Sequence, residues 1–157
     1  MLELINRDRL NPANQPETHG RALPLRWNEG LAAVARAHSR DMLARGFFAH
    51  VNPDGASPAA RVTAASFAWQ AEGENIAIYS SVAGAQAAFM NEPRFQDNHR
   101  ANILNPRYSE VGVGIVQGPD GMYHITQEFV APPRDRQTGE RSPMAPSPLR
   151  SRAVSGR

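Results

Sequence analysis

Apolar positions recur at helical spacing along the first third of the chain and at strand spacing along its last third. Leu2 and Ile5 share one face of a helix predicted over residues 1–9, with Leu10 just beyond, and Asn11-Pro12 stops the run. Residues 11–26 are polar, contain Pro and Gly, and read as a loop. Asn28 is a good N-cap for a second helix, in which Leu31, Val34, Ala35, Met42 and Leu43 recur at three and four residues. Gly46 closes that helix. Asn52-Pro53-Asp54-Gly55 is a turn, and Ser57-Pro58 opens a short helix ending near Ala65, with proline at its first position. A strand-like alternation follows within Phe67–Tyr79. Ser81 caps a helix to about Glu92, which Pro93 ends, and Asp97 caps another to about Leu104. Val111–Gln117 and Met122–Val130 are β-branched and aromatic runs, joined by the hairpin turn Gly118-Pro119-Asp120-Gly121. Helices come first and a hairpin last, so the predicted class is α+β, not a wound parallel sheet.

Four polar residues interrupt this pattern. Glu74 shares a strand face with Ile76 and Ile78, which the alternation predicts to be buried. Glu92 lies three residues after Phe89 and seven after Ala85, on an apolar helix face. His99 precedes Ile103 by four, and His50 follows Phe47 and Phe48 just past a helix end. Each alone is more often a satisfied core or loop residue. Buried charge is expensive unless it is paired or metal-bound, so two histidines and two carboxylates together point to a site. Close carboxylates repel unless donors or cations lie between them, and histidines supply both. Two neutral imidazoles, His50 and His99, can hold a divalent metal such as Zn²⁺, with carboxylates orienting their rings. Water or a carboxylate must complete such a site.

Other candidates are weaker. His38 falls on the Leu31–Ala35–Met42 stripe and reads as a core histidine with one hydrogen bond. Ser39 has no nucleophile-elbow sequence around it. Gly112-Val113-Gly114 lies inside a strand and opens no helix, so close packing or a bulge explains it better than a dinucleotide loop. His124 alternates with Thr126 and is predicted to face solvent; His19 lies in the polar loop. The distance between His50 and His99 in sequence excludes an H-E-x-x-H helix.

Charge sharpens the domain reading. The 157 residues contain no cysteine and no lysine; residues 131–157 carry +4, while residues 1–130 carry −2. The high pI therefore belongs to the tail, and the absence of a basic face on the rest argues against nucleic-acid binding. The expected organisation is one domain over 1–130 and a Pro-, Ser- and Arg-rich disordered tail over 131–157. No apolar run is long enough for a transmembrane helix. Met1–Asn6 reads as the first helix of a domain and not as a secretory signal.

The strings His38-Ser39-Arg40-Asp41-Met42, Phe47-Phe48-Ala49-His50, Gly73-Glu74-Asn75-Ile76-Ala77, His99-Arg100-Ala101-Asn102-Ile103-Leu104-Asn105, Val111-Gly112-Val113-Gly114 and Thr126-Gln127-Glu128-Phe129 resemble the CAP superfamily. That superfamily unites cysteine-rich secretory proteins, antigen 5 and plant pathogenesis-related proteins. The match looks closest to its cysteine-free bacterial branch and covers about residues 1–130. The resemblance implies an α-β-α sandwich with a small antiparallel sheet between helical layers. It carries the family's cleft tetrad onto His50, Glu74, Glu92 and His99. Where the bacterial branch runs Trp-Met-x-Ser-Pro-x-His, this chain has Phe89-Met90-Asn91-Glu92-Pro93 and a longer gap to His99.

It also implies an extracellular or cell-envelope protein whose signal is not part of this chain. The leading expectation is a monomeric, non-enzymatic binding domain. Its cleft would take a divalent metal and a lipid, sterol-like or cell-envelope ligand. The alternatives are a metal-dependent hydrolase with Glu74 or Glu92 as general base, and a structural module of the envelope.

Overall fold

The structure, a computed structural model, describes residues 1–133. The predicted tail therefore lies outside the described residues, apart from its first three positions. Six helices and four strands follow in chain order. They are α1 (Leu2–Leu10), α2 (Gln15–Thr18), β1 (Arg26–Trp27), α3 (Glu29–Arg45), α4 (Pro58–Ala64), β2 (Ala71–Tyr79), α5 (Val82–Met90), α6 (His99–Leu104), β3 (Glu110–Gln117) and β4 (Tyr123–Ala131). Side chains set most of the helix starts. Asn28, Ser57, Ser81 and Asn98 each accept a backbone N–H from the first turn of α3, α4, α5 and α6. Gly46 ends α3 in the left-handed region at φ 65°, returning its N–H to the Met42 carbonyl.

The sheet order is β1-β3-β4-β2. β4 pairs antiparallel with both β2 and β3, whereas the two-residue β1 pairs parallel with β3. The sheet is therefore mixed, not purely antiparallel. Its two faces carry separate cores. On one, Ile5 of α1, Phe89 of α5 and Ile103 of α6 cover Val111, Val113, Ile125 and Phe129. On the other, Leu31 and Val34 of α3 and Val62 of α4 meet Val130. This is the expected α-β-α sandwich. Gly112 and Gly114 let α3 lie directly on β3: a Cβ at either would overlap backbone atoms of the 31–36 turns.

Several expectations need correction. The segment 11–26 is not all loop: it folds into a 3-10 turn (Pro12–Asn14), α2 and β1. α5 stops at Met90, so Glu92 lies in the following loop and not on a helix face. Asn98, not Asp97, caps α6. The strand begins at Ala71, and Ile78 near its end is 36% exposed. His124 is buried, facing the α3 layer with Thr126 and Glu128. His38 is buried with Nε2 3.1 Å from the Ala49 carbonyl, as a core histidine should be. Ser39 is fully buried and bonds to Gly114 and Thr126.

Candidate functional site

β2 is an edge strand, and the site straddles its free edge. Strand alternation sends Glu72 and Glu74 toward the α3–α4 layer and Gly73 and Asn75 toward the α5–α6 layer. The edge itself is closed by side chains: Asn102 donates to the Glu74 carbonyl at 3.2 Å and Tyr108 to the Glu72 carbonyl at 2.9 Å. Over this edge opens a cleft of about 370 Å³, lined by His50, Glu74, Glu92, Asp97, Asn98, His99 and Asn102. All four residues singled out in the sequence reach it, two on each side of the sheet.

One arm is His50–Glu74. His50 follows the Gly46 turn of α3, and its Nδ1 lies 2.7 Å from Glu74 Oε1. Arg61 of α4 reaches the other oxygen at 2.5 Å, and also donates to the His50 and Ala56 carbonyls. Burial works against the Glu74 charge, but the His50 hydrogen bond and the Arg61 guanidinium help hold its carboxyl below the usual range. An ionised carboxylate only accepts, so His50 donates from Nδ1. That hydrogen bond raises the His50 imidazole above its ordinary value. His38 stands behind, 3.9 Å from Glu74 Oε1, with burial pushing its own imidazole down.

The other arm is His99–Glu92. Glu92 Oε1 is 2.5 Å from His99 Nδ1, while Oε2 accepts the backbone N–H of His99 at 2.8 Å and of Arg100 at 3.4 Å. The carboxylate thus orients the ring and neutralises the exposed donors at the start of α6. The His99 ring packs on Phe89, centroids 4.7 Å apart. Arg100 fixes the helix from behind through two bonds to Glu17, one to Asn14 and one to the Met90 carbonyl.

A row of mostly buried amides ties α6, the sheet, α5 and α1 together on one face. Asn102 donates to Asn75 at 2.9 Å, Asn75 to Gln127 at 2.9 Å, Gln127 to Gln86 at 3.0 Å and Gln86 to Asp8 at 2.8 Å. Every donor points the same way and the row ends on a carboxylate, an arrangement in which each bond polarises the next. Sequence reasoning missed this row, Arg61, Glu72 and Glu128. Polar residues on otherwise buried strand positions, Asn75, Gln127 and Glu128, were the available signal.

Residues 2–129 match the CAP family, described as the cysteine-rich secretory protein family. The chain belongs to that family. The CAP domain here is 36% identical over 108 residues to "Uncharacterized protein YkwD" of Bacillus subtilis, covering 68% of this chain and 39% of that one. It superposes with a TM-score of 0.60 and 28% identity on an extracellular, SCP-domain protein of Bacillus anthracis, covering 80% of this chain and 40% of that one. An outer surface protein of Borrelia burgdorferi shares the fold, with a TM-score of 0.64 at 14% identity, covering 82% of this chain and 96% of that one. The chain thus spans about two fifths of the length of the two Bacillus proteins. Its CAP domain is cysteine-free and of bacterial type. Among the described residues no helix is long and apolar enough to cross a membrane.

Proposed function

We propose that this CAP domain is an extracellular binding module whose cleft takes a divalent transition metal through Nε2 of His50 and of His99. The observation that carries the reading is shared by both arms. Each imidazole has its Nδ1 held by a carboxylate while Nε2 is engaged by no described residue, in a common cleft. A carboxylate that accepts from one ring nitrogen raises the basicity of the other, the usual outer support of a metal-bound histidine. Among the described residues no three His, Asp or Glu side chains converge as a metal cage. A metal held by two histidines would therefore keep open positions for water or for a group of the bound partner. A lipid, sterol-like or cell-envelope ligand is the partner class this reading favours. The words "extracellular" and "outer surface" in the descriptions of two structural relatives support the setting.

Binding is favoured over hydrolysis because the carboxylates are already committed. Both Glu74 oxygens accept from His50 and Arg61, and both Glu92 oxygens accept from His99 and the α6 backbone. Each oxygen already accepts at least one donor, which lowers its basicity toward water. Isothermal titration with Zn²⁺ tests the reading. His50→Ala and His99→Ala should each abolish binding, Glu74→Gln should weaken it about 10–100-fold, and His38→Ala should leave it intact. Affinity should fall on acidification as the imidazoles protonate. Equal loss in His38→Ala and His50→Ala, or no Zn²⁺ uptake by the unaltered protein, rejects it.

A further inference from the structure

Beneath the His50 arm lies a carboxyl group that the metal reading does not use. Glu128 sits opposite Glu74 in the β2–β4 ladder and opposite Gly112 in the β3–β4 ladder. It is fully buried. No N–H or hydroxyl of the described residues donates to either of its oxygens. The Arg61 guanidinium is 3.8 Å away, outside hydrogen-bond range, and its terminal nitrogens bond to Glu74 and two carbonyls instead. Its neighbour across the β2–β4 ladder is another carboxyl, that of Glu74, and the two charges repel.

Two carboxylates cannot hydrogen-bond to each other; one must carry a proton. The surroundings decide which. Glu74 receives the His50 and Arg61 donors and is the better place for the negative charge. Glu128 has burial against it, then the Glu74 charge, with Glu72 adding to the repulsion and Arg61 opposing it. Glu72 itself, half-buried on β2, is also pushed up, first by burial and then by Glu74. His38 from α3 and His50 from the following loop face Glu74, and β3 brings only Gly112. One guanidinium therefore serves three glutamates, and the innermost of them has no donor of its own.

We propose that Glu128 is a positioning residue of the cleft, held as the neutral acid and donating its proton to the Glu74 carboxylate. Glu74 then accepts three donors, from His50, Arg61 and Glu128, and stays ionised although buried. That fixes His50 as an Nδ1 donor and turns Nε2 toward the cleft. The inference rests on the His50–Glu74 geometry, and its test needs no metal, so it stands or falls apart from the metal reading.

The experiment compares the unaltered protein with Glu128→Gln, which keeps a neutral donor of the same shape. The difference in unfolding free energy is followed from acid to neutral pH. A carboxyl whose folded pKa is raised costs stability as pH climbs above its unfolded value of about 4.3. Glu128→Gln should therefore become progressively more stable than the parent above that pH, and the gain should vanish below it. A flat difference would mean a purely packing role. A difference of opposite sign would mean an ionised Glu128 paired with Arg61. Either overturns the proposal. Infrared difference spectra of the two folded proteins at neutral pH give an independent readout on the unaltered chain. They should contain the carbonyl stretch of one protonated carboxyl, and its absence also overturns the proposal.

Discussion

Glu92 lies two residues beyond the last turn of α5, yet both its oxygens are occupied. One holds the His99 ring and the other holds the first N–H groups of α6, so a single side chain sets a ring and starts a helix. Alanine at Glu92 should cost about 0.5–2 kcal/mol, the range for a lost helix-start acceptor. The loss should also couple to His99. In a double-mutant cycle of Glu92→Ala and His99→Ala, read by chemical denaturation, the two effects should fall short of additivity by at least about 0.5 kcal/mol. An additive cycle would show that the 2.5 Å pair does not form in solution and would leave Glu92 outside the site. The position of Glu92 was legible in the sequence through its spacing from Ala85 and Phe89 and through the family resemblance. Its actual role depends on where α5 stops, which that spacing did not fix.

Elements with strong local signals were readable in advance, and those held by distant partners were not. α3 carries an Asn28 cap, a three-and-four apolar stripe and a left-handed Gly46, each a local device. By contrast, α2 and β1 are too short to show a period. They are fixed by long-range bonds, Arg100 to Glu17 on α2 and the Ser109 carbonyl to the Arg26 N–H on β1. Asp97 and Asn98 are both capable caps, and only the Ala101 N–H bonding to Asn98 decides between them. The glycines of β3 were legible as close packing, and that reading is testable at element scale. A methyl at Gly114 would overlap the α3 backbone at Ala35 and Arg36, which cannot rotate away as a side chain could. Gly114→Ala should lower stability by about 1–3 kcal/mol or more by thermal or urea unfolding. A neutral result would mean that α3 slides over the sheet more freely than its packing implies.

Across the whole molecule the ionisable groups divide by the sign of their response to pH. The tetrad was legible because charge on apolar segments is unusual. Arg61 and Glu72 were not, because an arginine on a short helix or a glutamate in a half-polar strand carries no signal until the partner strand is in place, and Glu128 offered only the signal of a charge on an otherwise buried strand. Together they make the α3–α4 side of the cleft rich in acid. On the other side, Glu17 performs a different task. Its carboxylate is nearly buried, bonded twice to Arg100, with Arg94 at 3.5 Å. The Arg100 hydrogen bonds hold it below the usual glutamate range despite burial. A depressed folded pKa stabilises the fold above the unfolded value of about 4.3 and is lost as pH falls through the folded one. Glu17→Gln should therefore be less stable than the parent by a constant amount near neutrality. That deficit should shrink steadily on acidification below about pH 4.3. The buried Arg100 left without its counter-charge would add to the neutral-pH loss, since breaking one side of a buried pair costs more than the pair is worth. Because Arg100 also anchors the helix that begins with His99, the same substitution should loosen the His99 arm. Hydrogen exchange in α6 should then rise while that in α3 stays protected. Uniform exchange across both helices, or a deficit that ignores pH, would show that the Glu17–Arg100 pair does not tie α6 to the rest of the fold.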